Sequence, residues 1–176
     1  GKNIDGNKFA DEALKKKASI CILEKNYSKK NLRKISVKDT LKTFSNLSCI
    51  IRKSLGTPIV AITGSAGKTS LKELIGQSLN TLIPTSYSKK SFNNQYGVPL
   101  SLFNIDMKHK VGVFEIGMDK KGEIQKLSNL IRPDIGVITN ISYAHIKNFK
   151  SIKGIAEAKA EICLLYTSDA ADDLGR

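Results

Sequence analysis

Pro58-Ile59-Val60-Ala61-Ile62-Thr63-Gly64-Ser65-Ala66-Gly67-Lys68-Thr69-Ser70 decides the reading of this chain. The apolar run 58–62 predicts a buried strand. Residues 64–67 form a turn of small residues. Beyond Lys68-Thr69, Leu71, Leu74, Ile75 and Leu79 recur at helical spacing and predict a helix over 68–80. A strand, a glycine turn and a helix in that order make an anion site. The first N–H groups of the helix lack partners, and the helix dipole adds partial positive charge there. Gly64, Ser65, Ala66, Gly67, Lys68, Thr69 and Ser70 are therefore the phosphate-binding candidates. Lys68 is placed to reach the outer phosphates, and the Thr69 hydroxyl to hold Mg²⁺. The strict Walker pattern has a glycine five residues before Gly67, where this chain has Ile62. What stands is the shorter Thr63-Gly64-x-x-Gly67-Lys68-Thr69. The plain alternative is an ordinary strand-to-helix turn with a surface lysine.

Downstream, Leu82 and Ile83 read as a short strand ended by Pro84, and 85–95 as a polar loop. Within it, Asn93-Asn94 marks either a ligand-binding loop or simple turn chemistry. A helical or buried segment starts at 99–103. Residues 111–116 read as a second buried strand, ending in Glu115. In an open α/β sheet that end faces the ligand crevice, which makes Glu115 a Mg²⁺-ligand candidate. A helix over 122–131 presents Ile124, Leu127, Leu130 and Ile131 inward. A third strand is predicted over 135–141, and His145 just past it is a candidate for metal or phosphate contact. Ser151 caps a further helix that runs to about 165 and carries Lys159. Alternating strands and helices predict an α/β fold, a parallel sheet with flanking helices and right-handed crossovers.

Upstream, Asp5-Gly6-Asn7 is a turn, followed by a helix over 8–17, a strand over 19–23 and a loop over 26–31. Val37, Leu41, Phe44, Leu47, Ile50 and Ile51 form a helical stripe over 37–55, stopped by Gly56 and Pro58. Residues 1–35 are too few for a domain and read as the end of one. Residues 36–162 are expected to form the phosphate-binding domain. In 163–176 lysine vanishes and acids cluster, so this stretch is expected to be a non-native tail. Without an initiator Met, the chain is expected to be a piece of a longer protein.

The net charge is +13, from 25 Lys and only 4 Arg against 16 acids. The lysines are scattered, Trp is absent and aromatics are 6%. Nucleic-acid readers favour Arg and stacking aromatics, so no nucleic-acid partner is expected. No apolar run reaches the ~18 residues of a membrane span. Cys21, Cys49 and Cys163 lack metal-ligand spacing and read as buried, reduced thiols of a cytoplasmic protein.

Four blocks, in order, resemble the Mur ligase family. They are Ile62 through Thr69; Ser91-Phe-Asn-Asn-Gln-Tyr-Gly-Val-Pro99; Phe114-Glu-Ile-Gly-Met118 with Gly122-Glu-Ile124; and Arg132-Pro-Asp134 through Thr139-Asn140 and Ala144-His145 to Ala158-Lys-Ala-Glu-Ile162. Asp5-Gly6-x-x-Phe9 is similar to the end of that family's N-terminal domain. The phosphate turn alone would fit folylpolyglutamate synthetases, or a non-catalytic nucleotide-binding module. The Phe-Asn-Asn and Glu-Ile-Gly-Met blocks favour the Mur ligases that add D-alanyl-D-alanine. The resemblance implies a P-loop NTPase-like central domain, truncated at both ends, that uses ATP and Mg²⁺. It implies UDP-N-acetylmuramoyl-tripeptide and D-alanyl-D-alanine as substrates, joined through an acyl phosphate by a cytoplasmic, monomeric enzyme of peptidoglycan synthesis. It further implies catalytic roles for Lys68, Lys159 and His145, nucleotide contacts at Asn93 and Asn94, and metal contacts from Thr69, Glu115, His145 and Lys159. Lys159 matches a lysine that is carbamylated in related members. Ala66, Gln95 and Ser70 depart from the commoner Asn, Glu and Thr, and none removes a charge from the implied metal site.

Overall fold

The computed structural model describes residues 5–24, 31–143, 148–149 and 151–163. The predicted loop at 26–31 therefore lies largely outside the described residues. Two compact units meet in sequence between Asn46 and Leu47.

In the first unit, a single 3₁₀ turn at Gly6–Phe9 is capped by Asp5 and leads into helix α1, Ala10–Lys15. Strand β1, Cys21–Glu24, pairs in parallel with β2, Lys34–Val37, in the register Cys21↔Lys34 to Glu24↔Val37. Ala10, Leu14 and Leu23 are buried, and Lys34 reaches Asp11 at 2.7 Å. Here the structure corrects the sequence reading, which put Val37 on a helix. Val37 closes β2, and α2 is Thr40–Ser54. The Asp39 carboxylate accepts the Lys42 N–H at 2.8 Å, so the helix starts at its cap and not at its first apolar residue. The Glu24 carboxylate accepts both the N–H and the hydroxyl of Thr40, which holds its pKa below the ordinary carboxylate value.

The second unit is a four-stranded, all-parallel sheet in the order β4-β5-β3-β6. Its strands are β3 (Ile59–Thr63), β4 (Thr85–Tyr87), β5 (Val111–Glu115) and β6 (Ile135–Ile138). The connecting helices are α3 (Lys68–Asn80), α4 (Gly97–Phe103) and α5 (Glu123–Ile131), and α6 (Ile152–Ala160) follows β6. Strand β3 lies between two neighbours, and Ile59, Ala61 and Ile62 are fully buried. Phe114, Val98, Leu102, Ile124, Ile131, Ile155 and Ile162 belong to the same core. Burying side chains of this size contributes about 1.5–3 kcal/mol each.

Two local readings are corrected, the strand at 82–83 and the burial of the thiols. Leu82 and Ile83 are exposed and lie outside any strand; the strand is Thr85–Tyr87, beyond Pro84. Its buried Thr85 and Ser86 are polar, so hydrophobicity pointed to the wrong residues. In α3 the buried positions are Lys72 and Gly76, while Leu74 is 64% exposed. Among the thiols, Cys21 and Cys49 are half-buried, and Cys163 is exposed. No described helix is long and apolar enough to cross a membrane.

Arg52 ties the end of α2 to the sheet. Its guanidinium donates to the carbonyls of Ile131 (2.7 Å), Leu55 (3.0 Å) and Arg132 (3.0 Å), and to Asp134 Oδ2 (3.2 Å). The same Asp134 oxygen accepts the Ile59 N–H at 2.7 Å, at the start of β3. Arg52→Leu keeps an apolar stem but leaves these acceptors unpaired. Urea unfolding is expected to show a loss of about 2–3 kcal/mol.

Candidate active site

The site lies at the carboxyl ends of β3 and β5. In the parallel register Ile62 is opposite Glu115, so the turn after β3 emerges beside that carboxylate. Gly64 closes against β6: a Cβ there would collide with the Thr139 hydroxyl. Gly67 is the N-cap of α3 at φ +77°, a left-handed conformation that favours glycine. The N–H groups of Gly67, Lys68 and Thr69 have no partner among the described residues, as an anion site at a helix start requires.

The far side of the turn is held by residues that the sequence reading left without a role. Asn140 Oδ1 accepts the N–H groups of Ser65 (3.1 Å) and Ala66 (2.9 Å), and the Asn140 carbonyl also accepts from Ser65. The Thr139 hydroxyl donates to the Ala66 carbonyl. Ser65 and Ser142 exchange two bonds, Ser65 Oγ donating at 3.1 Å and Ser142 N–H at 2.9 Å. In the sequence Thr139-Asn140 stands as a block without a partner, which the β3–β6 pairing supplies.

Thr69 Oγ1 donates to Glu115 Oε2 at 2.7 Å. Asn93 Nδ2 donates to the other oxygen, Oε1, at 2.8 Å. Glu115 is 1% exposed and has no cationic side chain against it among the described residues. Ser91 Oγ lies 3.3 Å from Thr69 Oγ1. Lys68 Nζ donates to the Gly64 carbonyl at 2.9 Å. Asn94 lines the cleft in front of the turn, and its Oδ1 accepts the N–H groups of Tyr96 (3.1 Å) and Gly97 (3.0 Å) at the start of α4. Ser70 is exposed on the first turn of α3. His145 lies outside the described residues.

A cleft of about 370 Å³ opens in front of the turn. Lys68, Lys126 and Lys159 line it with Asn93, Asp119 and Glu123. Lys159 is 2% exposed; burial, and then the Lys68 charge, lower its pKa from 10.5 to about 8. Two residues on, the Glu161 carboxylate accepts the N–H groups of Gly122 (2.7 Å) and Gln125 (3.2 Å), capping α5. That cap fixes the segment bearing Lys159 to the far wall of the cleft.

Residues 62–171 match the model of the Mur ligase middle domain, so the match extends into the 163–176 stretch. The UDP-N-acetylmuramoyl-tripeptide–D-alanyl-D-alanine ligase of Buchnera aphidicola from Acyrthosiphon pisum is 40% identical over 92% of this chain and 35% of its own length. That of Escherichia coli is 34% identical over 92% of this chain and 36% of its own. Among solved structures, MurF from Acinetobacter baumannii aligns with a TM-score of 0.83 at 31% identity, over 92% of this chain and 36% of that one. MurF from Thermotoga maritima, in complex with ADP, aligns with a TM-score of 0.81 at 31% identity, over 92% and 38%. The chain spans about a third of the length of these relatives.

The depressed pKa of Lys159 sets a pH dependence of stability. Between about pH 8 and 10.5 the unfolded chain binds more protons at this residue than the folded chain. Stability therefore rises with pH through that window. In CO₂-free buffer, Lys159→Met is expected to remove a rise of about 1.5 kcal/mol between pH 8 and 9.5, read as the difference between variant and wild type in urea unfolding. Parallel pH profiles of the two proteins would overturn the assignment.

Proposed function

This chain belongs to the Mur ligase family, and we propose that it is the nucleotide-binding part of an ATP-dependent ligase. The parent enzyme joins D-alanyl-D-alanine to UDP-N-acetylmuramoyl-tripeptide, in the cytoplasm, for peptidoglycan synthesis. Residues 1–35 are the end of its preceding domain. Relatives of 34–40% identity named for that reaction support this choice over a folate ligase or a non-catalytic module.

One observation carries the reading: the hydroxyl after the turn lysine lies 2.7 Å from a buried carboxylate on the neighbouring strand. A buried carboxylate without a cation is costly. A divalent ion held by Glu115 and Thr69 would remove that cost, and their oxygen donors suit Mg²⁺. Bound there, Mg²⁺ supplies charge neutralisation on the phosphate oxygens. His145 and Lys159 are assigned to a second ion.

The chemistry asked of the chain's own residues is positioning and charge stabilisation. The free N–H groups at the start of α3 hold the phosphates. Lys68 gives up its bond to the Gly64 carbonyl for the transferring phosphoryl group. The tripeptide carboxylate attacks the γ-phosphorus and ADP leaves. The amine of D-alanyl-D-alanine then attacks the acyl phosphate, forming the amide and releasing phosphate. Asn93 orients Glu115 throughout. Lys159 has a pKa of about 8, so a useful fraction is neutral amine near neutral pH. Addition of CO₂ to that amine with loss of a proton gives a carbamate, an anionic metal ligand beside Lys68.

The 176-residue chain is expected to bind ADP with Mg²⁺ and not to ligate. Lys68→Ala should weaken MgADP binding about tenfold or more in calorimetry. Glu115→Gln should raise the Mg²⁺ concentration needed for binding, and an unchanged requirement would refute the metal assignment. In the full-length parent, amide formation from ATP and both substrates is expected, and Lys68→Ala should abolish it. Protein equilibrated with ¹³C-labelled bicarbonate should show a carbamate resonance that Lys159→Met lacks.

A further inference from the structure

Lys72 is fully buried, at 0% exposure, and the chemistry above makes no use of it. A lysine ammonium carries three N–H donors and no acceptor. Here all three are matched. Nζ lies 2.5 Å from the Ser88 carbonyl, 2.8 Å from the Lys90 carbonyl and 2.6 Å from Glu73 Oε1. The first two acceptors belong to the loop after β4. Lys90 has φ +51°, a left-handed conformation in which a lysine is uncommon. The loop adopts it where two carbonyls, two residues apart, converge on one ammonium.

The same loop then supplies the site. Ser91 reaches Thr69, and Asn93 reaches Glu115. The Gly117 N–H donates to the Asn93 carbonyl at 2.7 Å, and Ser88 Oγ accepts the Glu115 N–H at 3.4 Å. Thr69 and Lys72 are three residues apart on α3 and so share one helix face. One face of α3 therefore presents the metal-site hydroxyl and, one turn later, the ammonium that holds the loop carrying that hydroxyl's neighbours.

We infer that Lys72 is a positioning residue for the Mg²⁺–phosphate site: by binding the Ser88 and Lys90 carbonyls it holds Ser91 and Asn93 against Thr69 and Glu115. The inference rests on the nucleotide reading of the site. It separates Lys72 from a purely structural buried cation, whose loss would lower stability and leave the metal requirement alone.

The test uses the 176-residue chain, fluorescently labelled ADP and titrated Mg²⁺. Lys72→Met is expected to raise the half-saturating Mg²⁺ concentration about tenfold, since hydrogen bonds to a charged group are the strong ones. Affinity for ADP without Mg²⁺ should stay within about twofold, the range of independent sites. Lys72→Gln, which keeps two N–H donors for the two carbonyls, should give a smaller increase, and it carries the test if Lys72→Met does not fold. Asn93→Ala combined with either variant should add almost nothing to the larger single effect, because both act through one loop. Without nucleotide, hydrogen exchange at the Asn93 and Gly117 amides should quicken in Lys72→Gln. An unaltered Mg²⁺ requirement, additive effects with Asn93→Ala, or unchanged exchange at those amides would each overturn the inference. If wild type itself shows no Mg²⁺-dependent ADP binding, the nucleotide reading falls and takes this inference with it. Wild-type binding with an unaffected Lys72→Gln removes this inference alone.

Discussion

The rest of the second unit depends on a carboxylate held out of water. Glu115 closes β5 at 1% exposure, paired in register with Ile62. A charge in that position needs donors, and the fold brings two from separate places: the Thr69 hydroxyl from the start of α3 and the Asn93 amide from the loop after β4. Neither is a cation. The site is thus built around a negative charge that the described protein groups only partly compensate, which is the condition for an oxygen-ligated divalent ion.

Each segment that lines the site is itself fixed by a polar side chain. Asn140, just past β6, holds the glycine turn after β3. Lys72 holds the loop bearing Asn93 from α3. Glu161 caps α5 and braces the segment bearing Lys159. These contacts share a logic. A backbone group buried in a turn must find a partner, and a single side chain with several matched donors or acceptors satisfies it while fixing the turn's shape. Rigidity of this kind keeps the unpartnered N–H groups at the start of α3 in place.

Much of this was legible in the sequence. The strand, turn and helix from Ile59 to Asn80, the strand ending in Glu115 and the α5 stripe were readable because their apolar spacing and small residues carry local physical meaning. Other features were not. β4 is three residues long and its buried pair, Thr85 and Ser86, is polar, so it exists through pairing with β5 and not through its own hydrophobicity. β2 hid at the front of a helical stripe because Val37 fits either period. Lys72 carries no signal that sets it apart from the other scattered lysines, while Leu74, which belongs to the apolar stripe, is exposed. Asn94, adjacent to Asn93, lines the cleft and also holds the start of α4 through its side-chain oxygen.

By itself the sequence determined the chemistry available and its order along the chain: a glycine turn before a helix, a lysine, a hydroxyl, an amide and a strand-end carboxylate. These follow from local rules, since a glycine turn before a helix is an anion site wherever it stands. Tertiary structure alone decided which of those groups meet. The parallel register of β3 with β5 and β6 set Glu115 beside Thr69 and Asn140 behind Ser65, across separations of 46 and 75 residues. It also turned Lys72 inward. Such contacts are long-range pairings of polar groups that carry no periodicity, so nothing local announces them; they exist because burial leaves each group in need of the other.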